Sequence, residues 1–134
     1  ELLETAMLDE PDDLLCWQLD TLRDHGIDIE IDDFGTGHTS VISLMNLKPS
    51  RVKIAKELVL PMENDPTFDR VVASVIQMTI ALGVEVLAEG VETKSLSERL
   101  VQQGCPIQQG YYFALPMTAH DFLRRYSTGE KAAV

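Results

Sequence analysis

Hydrophobic residues recur along the chain at two spacings, one typical of helices and one typical of strands. Leucines at helical spacing predict a helix at 11–25, and valines and isoleucines predict another at 68–82. Shorter helices are predicted at 41–47, 93–103 and 118–126, the last two with threonine N-caps. Runs of β-branched residues bounded by turns predict strands at 27–31, 51–54, 84–88 and 106–108, with a strand fragment at 1–3.

The order of these elements indicates a parallel sheet. Strands and helices alternate, with a loop predicted around Pro61 and the Asn-Asp-Pro sequence at 64–66. Polar or glycine-rich turns follow most strands and no GxGxxG motif opens a helix, which favours a (β/α) barrel over a dinucleotide-binding sheet. A complete barrel usually needs about 250 residues. The 134 residues therefore supply about half of one.

Half a barrel leaves two open sheet edges, which need a partner. We expect the chain to associate with itself, to pair with a chain that supplies the other half, or to be part of a longer protein. The lack of an N-terminal methionine favours the last of these.

Composition limits which molecules the chain could bind and in which cellular compartment it is expected. The net charge of −11, from 22 acidic and 11 basic residues, argues against binding a nucleic-acid polymer through charge alone. No apolar run approaches the roughly 18 residues of a membrane segment. Cys16 and Cys105 have no metal-type spacing and predict free thiols in a reducing cytosol, so a cytoplasmic location is expected.

Chemistry-bearing residues follow the predicted strands at the point where each one ends. Asp32 and Asp33 close the strand at 27–31, and Lys53, Glu89 and Gln109 end the next three. Adjacent carboxylates that are buried need neutralisation, which hard divalent cations provide. A solvated acidic turn that caps the next helix is an equally weighted alternative for the two aspartates. All strand ends of a barrel meet at one rim, so together these residues describe a phosphate-ester hydrolysis site.

The chain resembles the EAL domain family, the bacterial phosphodiesterases that cleave cyclic di-GMP to the linear dinucleotide pGpG. The resemblance rests on four motifs in order, which cover nearly the whole chain: DDFGTG at 32–37, VKI at 52–54, AEGVET at 88–93, and GC at 104–105 followed by QGYYF at 109–113 and a proline at 116. It implies a TIM-like barrel of the EAL type. Residues 1–126 would form only the C-terminal half of the domain, with 127–134 as a frayed tail.

The resemblance also implies roles for individual residues. Asp32 and Asp33 would be metal ligands, Asp32 bridging two Mg²⁺ or Mn²⁺ ions, and Lys53 would contact the catalytic water. Glu89 would be a further metal ligand or a base. The remaining roles are substrate binding for Glu92 and Gln109, metal binding for Glu1, and bracing of the loop after the two aspartates for Glu4.

Simpler interpretations stay open for three of these residues. Lys53 would then be a solvated lysine at a strand end, Glu92 part of a helix start, and Gln109 a side chain bonded to backbone at the barrel rim.

Two departures from the family pattern leave the function open. No Glu-Ala-Leu tripeptide is present, nor the asparagine that follows it in the family, and Ala55 stands where the family has aspartate after the lysine strand. The prediction is a metal-dependent cyclic di-GMP phosphodiesterase as the parent domain, with this segment inactive by itself. The alternatives are a degenerate domain that senses cyclic di-GMP, or a module that only contacts other proteins.

Overall fold

A computed structural model describes residues 1–4, 13–37 and 40–127. These residues form five short strands, which alternate with helices along the chain. The strands are β1 Leu2–Leu3, β2 Glu30–Phe34, β3 Arg51–Ile54, β4 Glu85–Ala88 and β5 Ile107–Gln108. The helices are α1 Asp13–Asp24, α2 Val41–Leu47, α3 Lys56–Val59, α4 Pro66–Ala81, α5 Lys94–Gln103 and α6 Ala119–Tyr126, with a 3₁₀ turn at Leu60–Glu63.

The five strands form one parallel sheet in the order β1-β2-β3-β4-β5. Sequential order with helical crossovers is the arrangement of a (β/α) barrel, because a doubly wound sheet reverses its strand order partway. The predicted parallel α/β architecture and the strand fragment at the N-terminus are therefore confirmed. All five strands present their carboxyl ends at the same edge of the sheet, which we call the rim.

Helices cover the outer face of this sheet and create two adjoining cores. Ile31, Val52 and Leu44 belong to the core on the side of α1 and α2, and Ile54 and Ile76 belong to the core on the side of α4 and α5. Val75 packs against both cores and joins them. Replacing a fully buried isoleucine such as Ile76 with alanine would cost about 2–5 kcal/mol. This packing holds the strand ends at the rim in fixed positions.

The strand predicted at 27–31 lies three residues further along, at Glu30–Phe34. The pairing of β2 with β3 begins only at Glu30 opposite Arg51, so residues 27–29 are not paired with β3 as a strand. Ile27 instead donates its backbone N–H to Leu22 O at the end of α1, and its side chain is 48% exposed. The two aspartates consequently lie within the strand and not after it.

The loop predicted around Pro61 is also wrong, since residues 56–63 form α3 and the 3₁₀ turn. Proline can break a helix, but it also fits the first turn of one, where its missing N–H is not needed, and Pro61 takes that place in the 3₁₀ turn. For the same reason α4 begins at Pro66, two residues before the predicted start, with Asp65 as its N-cap.

The predicted helix ends are otherwise close to those observed. Thr93 and Thr118 cap α5 and α6 through their side-chain oxygens, as predicted. Residues 11–12 of the first predicted helix and 128–134 of the predicted frayed tail lie outside the described residues. Among the described helices, none is long and apolar enough to cross a bilayer.

Candidate active site

A bulge in β2 brings the two adjacent carboxylates to the same side of the sheet. Consecutive residues in a regular strand point to opposite faces. Between Ile31 and Phe34 the register with β3 shifts, and Asp33 adopts a left-handed backbone with φ of 55°. This conformation costs a non-glycine residue about 1 kcal/mol, and such strain is found most often at functional sites. As a result, carboxylate oxygens of Asp32, Asp33 and Glu89 lie within 4.8 Å of one another.

Lys53 lies at the centre of the acidic residues and contacts three of them. Its Nζ is 2.7 Å from Asp32 Oδ1, 2.8 Å from Glu89 Oε1 and 3.2 Å from Glu1 Oε1. These residues come from β2, from the turn after β4 and from the residue before β1, so β3 carries Lys53 into the middle of the rim. Only 8% of Lys53 is exposed, in keeping with a role in the site and not with a solvated strand-end lysine.

The surroundings of Lys53 keep its ammonium group charged. Burial alone would lower the pKa of Lys53, because it disfavours the charged form. The attraction of the Asp32, Glu89 and Glu1 carboxylates outweighs burial and raises the pKa of Lys53 above its ordinary value. In this arrangement Lys53 can orient a water molecule or stabilise negative charge, but it has no free electron pair with which to accept a proton.

The donor set at the rim fits a divalent cation. Asp32, Asp33 and Glu89 offer three carboxylates against the single positive charge of Lys53. Among the described residues, Asp32 Oδ1 is buried and accepts no hydrogen bond of regular geometry, although it lies close enough to Lys53 Nζ for an ion pair. Carboxylate oxygens are among the ligands that Mg²⁺ and Mn²⁺ prefer.

Glu1 stands apart from this group of three carboxylates. It reaches the rim through its contact with Lys53 but does not join Asp32, Asp33 and Glu89 as a cluster of candidate ligands among the described residues. Its side chain is 54% exposed. Metal binding by Glu1 therefore stays a prediction, since Glu1 lies outside the group formed by Asp32, Asp33 and Glu89.

Glu4 holds the loop that follows the two aspartates. The side chain of Glu4 is buried, and its Oε2 accepts hydrogen bonds from Gly35 N at 2.9 Å and Gly37 N at 2.5 Å. A Cβ at Gly37 would lie 3.0 Å from the same oxygen, so a side chain there would press on the contact. The structure thus places Glu4 against the loop that it was predicted to brace.

Both predicted substrate residues line a cavity of about 350 Å³ beside the carboxylates. Glu92 and Gln109 share this cavity with Glu89, which is also one of the three clustered carboxylates. The open alternatives remain visible: Glu92 comes just before the N-cap of α5, and the main chain of Gln109 bonds to Ala88 and Val91. Both residues are exposed on the wall of this cavity, so substrate binding by Glu92 and Gln109 stays a prediction.

Sequence reasoning missed Lys56 and Tyr111, which line the same cavity. Lys56 lies between the predicted strand at 51–54 and the predicted loop around Pro61, and Tyr111 belongs to the QGYYF motif, but neither is predicted as a site residue. A signal for Lys56 exists in Gly90, whose φ is 70° and where a Cβ would lie 2.5 Å from the Cβ of Lys56. The turn after β4 can therefore approach α3 only with glycine at this position.

Comparisons with known proteins identify curated relatives of this chain. Cyclic di-GMP phosphodiesterase RocR of Pseudomonas aeruginosa is 37% identical over 123 residues, covering 92% of this chain and 31% of RocR. Probable cyclic di-GMP phosphodiesterase PdeG of Escherichia coli is 35% identical over 113 residues, covering 84% of this chain and 22% of PdeG. The chain thus spans less than a third of the length of these two relatives.

Solved structures show the same fold. The PaMucR phosphodiesterase in complex with c-di-GMP matches with a TM-score of 0.84 and 31% identity over 91% of this chain and 49% of that one. The manganese and cyclic di-GMP complex of BlrP1 from Klebsiella pneumoniae matches with a TM-score of 0.76 and 34% identity, covering 85% of this chain and 29% of that one. These neighbours confirm the predicted TIM-like barrel of the EAL type, of which this chain covers the C-terminal part.

A family model described as the EAL domain matches residues 1–116. The matched stretch includes every rim residue described above, from Glu1 to Gln109. Since it also takes in most of the 134 residues, the chain belongs to the EAL domain family.

Proposed function

We propose that this chain supplies the lysine-bearing half of the active site of a metal-dependent phosphodiesterase that cleaves cyclic di-GMP to linear pGpG. The observation that carries the proposal is the convergence of Asp32, Asp33 and Glu89 around Lys53 at the rim. Relatives named cyclic di-GMP phosphodiesterases, which share up to 37% identity with this chain, support the choice of substrate.

Asp32, Asp33 and Glu89, with Glu1 as an additional ligand, would hold divalent metal ions at the rim. Such ions polarise a phosphate group and lower the pKa of a bound water molecule. Structures of BlrP1, which has the same fold, contain manganese or calcium, and this supports the binding of divalent ions in general. We propose Mg²⁺ or Mn²⁺ for this chain.

The chain's own residues orient the reacting groups. The ammonium of Lys53 donates hydrogen bonds to an attacking water and stabilises negative charge that develops on the phosphate. The water oxygen bonds to phosphorus as one phosphodiester P–O bond breaks, the departing ribose oxygen takes up the proton that the water loses, and the ring opens to linear pGpG. Glu92 and Gln109 line the adjacent cavity, where they would position the nucleotide.

We further propose that the chain needs the other half of the barrel for turnover. In the described sheet β1 and β5 each have one neighbour, so both edges are open. Leu3, in the edge strand β1, is half exposed. The N-terminal half of an EAL domain, or a second copy of this chain, would cover such edges and bring further ligands.

A degenerate sensor is the second candidate, and Ala55 is the observation that favours it. Ala55 is fully buried directly after β3 and provides no side-chain hydrogen bond as the N-cap of α3. A carboxylate that the family resemblance leads one to expect is therefore missing at the rim. A sensor would bind cyclic di-GMP and leave it cyclic.

The deciding experiment completes the barrel. The part of the EAL domain of RocR that precedes its match to this chain is fused ahead of Glu1, and the chimera and the chain alone are incubated with cyclic di-GMP and Mg²⁺ or Mn²⁺. Chromatography detects pGpG. Asp32→Asn is the test variant, and Asp24→Asn, an exposed change at the end of α1, is the matched control.

We expect pGpG from the chimera and from its Asp24→Asn control, and none with EDTA, with Asp32→Asn or from the chain alone. A folded chimera that binds the nucleotide without cleaving it would replace the phosphodiesterase proposal with the sensor. A folded chimera that neither binds nor cleaves would contradict both.

A further inference from the structure

Lys53 occupies the place at the rim where positive charge is needed. Its Nζ lies within 3.2 Å of oxygens from Asp32, Glu89 and Glu1, and two of these distances are below 3 Å. One ammonium group thus satisfies carboxylates from three different segments of the chain. With 8% of the residue exposed, solvent contributes little to neutralising this group.

We propose that Lys53 is a built-in counter-ion which holds the carboxylates together in the metal-free state and which an incoming divalent ion must partly displace. The proposal rests on the proposed function in so far as it accepts a metal site at this rim. It adds that metal affinity is held down by the protein's own lysine.

The charge balance supports this competition. Asp32, Asp33 and Glu89 carry three negative charges in one group, and without Lys53 their mutual repulsion would oppose folding. A divalent ion that uses Asp32 Oδ1 as a ligand must share an oxygen already 2.7 Å from Lys53 Nζ. Even with the screening of water, repulsion between a divalent ion and an ammonium about 5 Å away lowers the binding constant roughly tenfold.

Lys53 has one described acidic partner outside the group of Asp32, Asp33 and Glu89, which is Glu1. The described ion pairs of Lys53 all involve the candidate metal ligands or Glu1. Glu1, with its side chain 54% exposed, has the longest of the three distances to Lys53 Nζ, at 3.2 Å. On metal entry we therefore expect Lys53 to give up contact with Asp32 or Glu89, with the Glu1 carboxylate shared between the ion and the ammonium.

The test measures metal binding and stability without any nucleotide. Lys53→Met removes the charge and keeps most of the side-chain length, and Lys53→Arg keeps the charge. Lys94→Met is the matched control, because Lys94 lies on the surface of α5 in an exposed pair with Glu98. Mn²⁺ binding to the chain is followed by the loss of the electron paramagnetic resonance signal of free Mn²⁺, and thermal unfolding is recorded in EDTA and in Mn²⁺.

We expect Lys53→Met to bind Mn²⁺ at least about tenfold more tightly than the unmodified chain. In EDTA it should unfold at a lower temperature, and Mn²⁺ should raise its unfolding temperature by more than it raises that of the unmodified chain. Lys53→Arg and Lys94→Met should leave Mn²⁺ affinity within about twofold.

Equal or weaker Mn²⁺ binding by Lys53→Met would overturn the proposal and show that Lys53 only organises the ligands. If the variant is unfolded in EDTA, folding upon addition of millimolar Mn²⁺ supports the proposal, and failure to fold in Mn²⁺ contradicts it. Because none of these readouts requires hydrolysis, a chimera that lacks phosphodiesterase activity would not bear on them.

Discussion

Gly110, which follows β5, lies directly against the backbone of Val91, which belongs to the turn after β4. A Cβ at Gly110 would fall 2.0 Å from Val91 O and 2.3 Å from Val91 N. The contact is fixed by two hydrogen bonds, from Val91 N to Gln109 O and from Tyr112 N to Val91 O, both 3.0 Å long. Two rim turns are thereby joined through their main chains, and the cavity beside Glu89 takes its shape from this junction.

Gly110→Ala should destabilise the chain by about 3 kcal/mol or more, since the clash is with backbone and cannot be relieved by a side-chain rotation. The measurement is the free energy of unfolding in urea. Gly26→Ala is the control: Gly26 has φ of 75° but no neighbouring atom within 4 Å, so only backbone strain of about 1 kcal/mol is expected. An equal loss of unfolding free energy in the two variants would contradict the close contact between Gly110 and the backbone of Val91.

Local sequence signals located most elements of the fold. Thr93 and Thr118 cap helices because a threonine oxygen can reach an N–H three residues on, which is a short-range property. The strand predicted at 51–54 coincides with β3, in which β-branched Val52 and Ile54 are buried. The loop predicted around Pro61 was wrong because a proline can either end one helix or begin the next, and the sequence alone does not distinguish the two cases.

The site was predictable as a group of residues but not as an arrangement. Strand-end positions identified Asp32, Lys53 and Glu89 because parallel strands share one rim. The bulge that turns Asp33 toward them depends on the pairing of β2 with β3, and the position of Lys53 depends on contacts with residues 21 to 52 positions away. No local pattern specifies these long-range relationships.

Glu4→Ala should release the loop after the two aspartates. It leaves Gly35 and Gly37 N–H groups without their acceptor, at a cost of about 1–3 kcal/mol for partly buried donors. Amide hydrogen exchange followed by NMR should be faster at both glycines. Glu57→Ala, at an exposed position in α3, is the control and should leave these rates unchanged. Unchanged exchange in Glu4→Ala would mean that the loop is held by other contacts.

Ala55→Asp should strengthen metal binding, because it adds a carboxylate at the rim directly after the lysine strand. Ala55→Asn is the matched control, since asparagine can cap α3 equally well but carries no charge. In Mn²⁺ the aspartate variant should be the more stable of the two, and in EDTA the less stable, because the added charge repels Asp32 and Glu89. The measurement is thermal unfolding in both conditions; the same order in EDTA and Mn²⁺ would exclude a metal-ligand role at this position.

Activity provides a second readout for Ala55. In the chimera with the RocR segment, Ala55→Asp should raise the rate of pGpG formation, and Ala55→Asn should not. A rise with both variants would attribute the gain to capping of α3 and not to charge.

The two thiols should differ sharply in reactivity. Cys105 is fully buried, with its Sγ near Val86 O and Ile107 O, and burial raises the pKa of its thiol to about 11. At pH 8 only about one Cys105 in a thousand would be a thiolate, whereas Cys16 on α1 is partly exposed. A thiol-disulfide reagent should therefore titrate one thiol quickly in the folded chain and two in denaturant, and Cys16→Ser should abolish the fast reaction.

The raised pKa of Cys105 also fixes the direction of a pH effect on stability. The folded state binds the thiol proton more tightly than the unfolded state, so the contribution of this group to stability is complete below the ordinary thiol pKa of about 9. It is lost as the pH rises toward about 11, because the unfolded chain gains a thiolate that the folded chain resists forming. Urea unfolding between pH 8 and pH 11 should show a decline that is smaller in Cys105→Ala, and an identical decline in both proteins would contradict the assignment of the shift to Cys105.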